Sequence, residues 1–431
     1  MLLRAFNSRN YRLFFAGQGI SLVGTWMQQV ALSWLVYRLT GSVLLLGVTG
    51  FAGQIPNFLL APVAGVVADR WNRRPLLVAT QALAMLQAAV LAILVLSDAI
   101  QVWQVICLSM VLGVISAFDI PIRQSFVIEL MDRPEDLSNA IALNSSMVNS
   151  ARLIGPALAG VLVAALGEGI CFGLNATSYL AVILALLAMH LHPSPARATQ
   201  RKFLRELREG FVYAFGFKPI RCILALLGLV SLMGMPYSVL MPVFAREILG
   251  GDARTFGFLI ATTGIGALAG TIYLASRRSI RGLGRVIAAA AILFGAGIIG
   301  FALSRHLPLA LVFLALVGFG GMTMVASSNT ILQTIVEDDK RGRIMSLFSM
   351  SFVGMTPIGS LLAGALAEQI GVQPALLMGG AACLAGGILF ARELPSLRAA
   401  VRPIYISKGI ITEMAAGMQT AAELATPPEK Q

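Results

Sequence analysis

The chain has 431 residues, of which 12% are charged and 57% apolar, and its mean hydropathy is +0.82. Soluble domains carry roughly 25% charged residues, so this chain has too little polar surface to clothe a water-soluble core, which excludes soluble enzymes and disordered chains. The net charge of +12 would suggest nucleic acid in a soluble protein, but basic residues collect in the cytoplasmic loops of membrane proteins, so no nucleic-acid partner is expected.

Apolar runs of ~20 residues, each long enough to cross a bilayer as a helix, recur along the chain. Stretches such as 288–301 and 309–319 are apolar all round, unlike the alternating strands of a transmembrane barrel. The breaks between runs predict an all-α membrane protein with twelve spans, at 12–37, 44–68, 76–97, 101–121, 139–166 and 170–191, then 221–245, 255–276, 285–304, 307–330, 344–368 and 373–392.

Span 1 is too long for a signal peptide and lacks a cleavage pattern, so it is expected to stay in the mature protein. It places Gln18, Thr25 and Gln29 on one helical stripe, and span 2 adds Gln54 and Asn57. These amides either line a cavity or bridge helices. The loop after span 2 reads GVVADRWNRRP, from Gly65 to Pro75. Here Gly65 is expected to allow close helix approach, Asp69 to end the span, and Arg70, Arg73 and Arg74 to form a cationic turn. Asn72 sits at an expected left-handed position, which Asn tolerates. At the inner end of span 4, Asp119 and Arg123 are four residues apart and can pair on one helix face. Pro121 stands between them. That pair is either a local structural ion pair or a coupling site.

Span 5 carries a second polar stripe, Ser145, Asn149 and Arg152, followed by Gly155, Pro156 and Gly160. Gly-Pro inside a helix removes one backbone hydrogen bond and permits bending, and small residues let a neighbouring helix approach. Arg152 falls near mid-membrane, where an ionised residue usually faces a water-filled pathway. It is a candidate substrate contact unless carbonyls or amides of other spans satisfy it.

The break at 192–219 has apolar positions 204, 207, 211 and 215 at helical spacing among basic and acidic residues, which predicts an amphipathic linker helix on the inner membrane surface. The domains expected are therefore an N-terminal six-helix bundle at 1–191, this cytoplasmic linker at 192–219, a C-terminal six-helix bundle at 220–395, and a loosely ordered cytoplasmic tail at 396–431. Gly155, Gly160 and Gly167 recur 204 residues later as Gly359, Gly364 and Gly371. Two six-span halves in one orientation suit a transporter that rocks around a site between them. With the N-terminus cytoplasmic, 27 of the 32 Lys and Arg fall on that side and 4 on the other, so both termini are expected in the cytoplasm.

The Gly65–Pro75 loop resembles the signature loop of the major facilitator superfamily, with Asn72 where glycine is usual. The counterpart loop in the second half, SRRSIRGLGR, lacks the acidic residue. By this resemblance Gly65, Asp69, Arg70, Arg73 and Arg74 form a cytoplasmic gate that latches near the start of span 11. The glycine-proline motif of span 5 is similar to one in the family's exporters. AFDIPIRQSFVIELM, LTGS and LSNAIALNSS resemble the branch of bacterial enterobactin exporters and macrolide efflux proteins, over roughly residues 10 to 395. The resemblance implies proton-coupled export of a small organic molecule, such as a siderophore, a drug or another amphipathic metabolite, across the bacterial inner membrane. Unlike many drug exporters of the superfamily, the chain has no charge between Val111 and Phe118 in span 4.

No Gly-Lys pair occurs, which excludes a phosphate loop and ATP-driven transport by this chain. An enzyme is not expected, because the three histidines stand apart from any acidic or cysteine cluster. The four cysteines lack the spacing of a metal site, so neither metal nor cofactor is expected. The expected partners are a small-molecule substrate, protons and the lipid bilayer, with the protein a monomer. An uptake permease, a lysophospholipid flippase of the same fold and a non-transporting sensor are the alternatives.

Overall fold

The computed structural model describes residues 4–131, 133–190, 203–277, 279–337, 340–408 and 410. The chain is helical throughout these residues: α1 (Arg9–Thr40), α2 (Val43–Arg70), α3 (Arg73–Leu96), α4 (Val102–Glu129), α5 (Leu137–Leu166) and α6 (Glu168–Ala188) precede the linker helix α7 (Phe203–Gly216). There follow α8 (Lys218–Ile248), α9 (Ala253–Ser276), α10 (Leu283–Leu303), α11 (Leu307–Ile335), α12 (Arg341–Ile370) and α13 (Val372–Ser407). Among the described residues, eleven helices are long and apolar enough to cross a membrane. At 32 residues α1 is among the longest, but it falls outside that set. Gln18, Gln28 and Gln29 dilute its apolar run, and Gln18 and Gln28 are buried against protein.

The helices pack as two groups. In the first, α1 lies on α5 and α6, α3 on α4 and α6, and α2 on α4; in the second, α10 lies on α11 and α13, and α9 on α11. The groups meet where α2 packs on α12 and α5 on α9. Glycine sets the closeness of these crossings, as small residues do between membrane helices. A Cβ on Gly160 would stand 3.0 Å from the Gly257 Cα, and one on Gly47 would stand 3.1 Å from the Gly364 Cα.

Polar contacts join the groups at the end away from the described chain termini. Glu368 of α12 accepts hydrogen bonds from the Val43 N–H (2.8 Å), the Leu44 N–H (3.0 Å) and the Ser42 hydroxyl (3.3 Å), so a carboxylate of one group caps a helix of the other. At the same end the Tyr37 hydroxyl donates to Glu247 at 2.5 Å. This end is called distal below.

Several elements outrun their sequence boundaries. Span 4 does not stop at 121: Pro121 lies inside α4, which continues to Glu129. A proline forfeits one helical hydrogen bond without ending a packed helix, and Ile122 and Phe126 beyond it are buried. Span 12 likewise does not stop at 392. Arg392 and Arg398 end its apolar run, but α13 continues to Ser407 with Leu397 and Val401 buried, so part of the expected tail is helix. The linker helix is present as α7, with Ala214 buried and the stacked rings of Phe211 and Phe215 exposed. Residues 191–202 and 411–431, which hold the rest of the linker and tail, lie outside the described residues.

Candidate functional site

A cavity of about 620 Å³ lies between the two groups. Thr25, Trp26 and Gln29 of α1, Thr49 and Gln54 of α2, Ser109 and Ser116 of α4, and Arg152 of α5 line it from the first group. Tyr237 and Ser238 of α8, Phe256 and Thr263 of α9, Phe294 of α10, Met322 of α11, and Phe352 and Thr356 of α12 line it from the second. Its size suits a drug-sized organic molecule. Mixed apolar faces and hydroxyl or amide groups suit an amphipathic one.

Among the described residues that line the cavity, Arg152 is the one charged residue. It lies 15 residues into α5, about 22 Å along the axis, in the middle of the helix. Its guanidinium sits over the Trp26 ring, 5.6 Å from the centroid, and forms no hydrogen bond or ion pair with the described residues. An arginine at a helix centre costs about 2.5–3.5 kcal/mol to insert, and a ring face returns only part of that.

The polar stripes divide. Thr25 and Gln29 line the cavity with Arg152, whereas Gln18, Asn57, Ser145 and Asn149 do not. Gln18 is buried. Ser145 and Asn149 bond within their own helix, the serine hydroxyl to the Ile141 carbonyl and the asparagine amide to the Ser145 carbonyl, each at 3.0 Å.

Asp119 and Arg123 do pair, at 3.3 Å, but not at the edge of the helix. Because α4 continues to Glu129, Asp119 lies ten residues from its end, about 15 Å inside rather than ~3 Å. The carboxylate is 9% exposed and also accepts from the Thr80 hydroxyl (3.0 Å) and the Gln81 amide (2.7 Å). Ser116, one turn earlier, lines the cavity. The Tyr179 hydroxyl, 3.4 Å from that of Thr25, adds a polar group between α1 and α6. Thr80, Gln81 and Tyr179 escape sequence reasoning because a lone polar residue in a span does not disclose its partner.

The loop motif is anchored within the first group. Arg73 pairs with Glu129 of α4 and donates to the Ala68 carbonyl at 3.1 Å, while Arg74 donates to the Leu186 and Leu187 carbonyls of α6 at 2.8 and 2.9 Å. Arg70 is exposed. The Asp69 side chain lies outside the described residues. Two expectations need correction. Asn72 is not left-handed: its φ of −63° and ψ of 120° are extended, and its side chain accepts from the Arg74 N–H as the N-cap of α3. Gly65 has no close neighbour among the described residues, since a Cβ there would find nothing of them within 4 Å. Gly155 and Gly160 do serve close approach. A Cβ on Gly155 would stand 2.6 Å from the Trp26 Cβ of α1, and Gly160 abuts α9 as described; Pro156 sits inside α5 between them.

The fold agrees with what the chain is similar to. A staphyloferrin A transporter of Staphylococcus aureus is 27% identical over 364 residues, covering 84% of this chain and 90% of its own. Macrolide efflux protein A of Streptococcus pyogenes is 23% identical over 382 residues, covering 86% and 93%. Among solved structures, a POT family transporter in complex with 5-aminolevulinic acid superposes with a TM-score of 0.73 at 11% identity, over 90% of this chain and 97% of that one. The model of the transmembrane secretion effector family matches residues 3–405. The chain is therefore a member of that family, a multi-pass transporter of the major facilitator superfamily.

Proposed function

We propose that this protein is a secondary active exporter of the bacterial inner membrane, moving a small organic molecule outward by alternating access and driven by protons. The observation that carries the proposal is a cavity between two helix groups, lined from both, whose described polar bonds to each other lie at the distal end. Export follows the relatives, one named for a siderophore and one for macrolide efflux.

On this proposal α1 is the twelfth span. Its 32 residues reach about 48 Å, and its glutamines face protein or cavity rather than lipid. The bundles at 1–191 and 220–395 are then repeats, supported by four glycines. Gly155 abuts α1 and Gly359 abuts α8, the first helix of each bundle; Gly160 abuts α9 and Gly364 abuts α2, the second helix of the opposite bundle. Both termini face the cytoplasm by the charge count, and Gly65, Asp69, Arg70, Arg73 and Arg74, with Glu129 added, gate that side. Asp119, with Arg123, is the coupling carboxylate, since it is buried within a turn of the cavity wall. The protein works as a monomer.

The test is flux. Cells lacking the gene should retain a small organic molecule that cells carrying it release, and a protonophore should stop the release. Release that is unaffected by the protonophore removes the proton step, and accumulation dependent on the gene reverses the direction.

A further inference from the structure

We infer that the transported molecule carries an anionic group, held by Arg152 between the two helix groups. This rests on taking the cavity as the transport site. Among the described residues, Arg152 is the one charged residue lining it, and its guanidinium has a ring face for company but pairs with no carboxylate. The buried carboxylates of the same group are already engaged, Asp119 by Arg123, Thr80 and Gln81 and Glu168 by Arg38. The cavity is thus an electropositive compartment in a low-dielectric setting, where an uncompensated charge acts strongly.

A cationic guest would meet that guanidinium with no acidic group on the wall to offset it. A carboxylate, phosphate or catecholate would meet a planar donor fork able to bind two oxygens at once. The guanidinium lies over the Trp26 ring and forms no hydrogen bond with the described residues, so its N–H groups remain available. The rest of the guest is constrained too. Trp26, Phe256, Phe294 and Phe352 offer flat apolar surface from both groups, so an anion bearing an aromatic or apolar body fits better than a small inorganic anion.

Placement adds a consequence for transport. Arg152 belongs to α5 of the first group, while Tyr237, within electrostatic reach of it, belongs to α8 of the second. An anion on Arg152 that also reaches Tyr237, whose hydroxyl is hydrogen-bonded to Thr263 of α9, touches both halves, and its arrival changes how they attract each other.

The experiment compares small molecules inside cells and in the medium, without preselection, for a gene deletion restored with nothing, wild type, Arg152→Gln or Arg152→Lys. The charge at pH 7 of each molecule that differs is read by anion-exchange retention. The expected result is that molecules released by wild type are anionic, and that Arg152→Gln at normal membrane level lowers their release about tenfold, the loss of a charge-assisted bidentate contact. Arg152→Lys should retain part of it. If the released molecules are neutral or cationic, or Arg152→Gln releases them at the wild-type rate, the inference falls while export stands. If no molecule differs between wild type and deletion, export falls and the inference with it. Should Arg152→Gln fail to reach the membrane, the charge of the molecules released by wild type decides alone.

Discussion

Asp119 holds three donors on one carboxylate inside a span, so its charge is fixed in place by Thr80, Gln81 and Arg123. Replacing it with Asn keeps the shape and removes the charge. As the proposed coupling group, Asp119→Asn should insert normally but release little substrate, and what remains should ignore a protonophore. Protonophore-sensitive release at the wild-type rate would return the Asp119–Arg123 pair to a structural role. Glu129 is the other informative acid. It pairs with Arg73 where both side chains are about one-quarter exposed, at 22% and 24%, so solvent screening holds the bond to about 1 kcal/mol. Glu129→Gln should lower stability in detergent by that amount, and adding Arg73→Gln should cost only about 1 kcal/mol more, for its remaining bond to the Ala68 carbonyl. Additive losses in this double-mutant cycle would show that the two do not act as a pair.

At the scale of elements, the sequence shows the order of the apolar helices because their runs are long and their charged ends distinct, and among the described residues eleven of the twelve expected spans are helices long and apolar enough to cross a membrane. It misplaces the ends of α4 and α13, since a proline or an arginine stops an apolar pattern without stopping a helix. A stripe of polar residues shows which side chains share a helix face, not how far along that face the partner bundle leaves space. Thr25, Gln29 and Arg152 meet the cavity, whereas Gln18 and Ser145, one or two turns nearer the chain's start on the same stripes, do not. Tyr237 could not be found from its own segment, because its role depends on α5 lying opposite. The glycines were legible as spacing and acquire partners in the fold. Gly364→Val would push against the α2 backbone at Val43 and Gly47, propping the distal seam apart. Release should fall about tenfold or more, as expected of an overpacked backbone contact. In a background lacking the native cysteines, a cysteine at Ser33 in the cavity wall should become more reactive toward an impermeant thiol reagent outside the cell. Unchanged release and labelling would mean that the seam accommodates the side chain.

For the whole molecule, the proposed topology makes a simple prediction from the 27-to-4 distribution of basic residues. Reporter fusions at the C-terminus and at Ala196 should sit in the cytoplasm, and one at Asp98 outside. A C-terminus outside the cell would leave an odd number of spans and remove α1 or another helix from the count. The glycine crossings have a mechanical consequence for the two halves. At Gly47 against Gly364 and Gly160 against Gly257, backbone rests on backbone, so no side chain there must leave its rotamer well before one surface slides over the other. The seam behaves as a bearing rather than a zipper. Among the described residues the hydrogen bonds from one half to the other are those to Glu247 and Glu368 at the distal rim, so on the proposed mechanism opening at that rim requires them to break together.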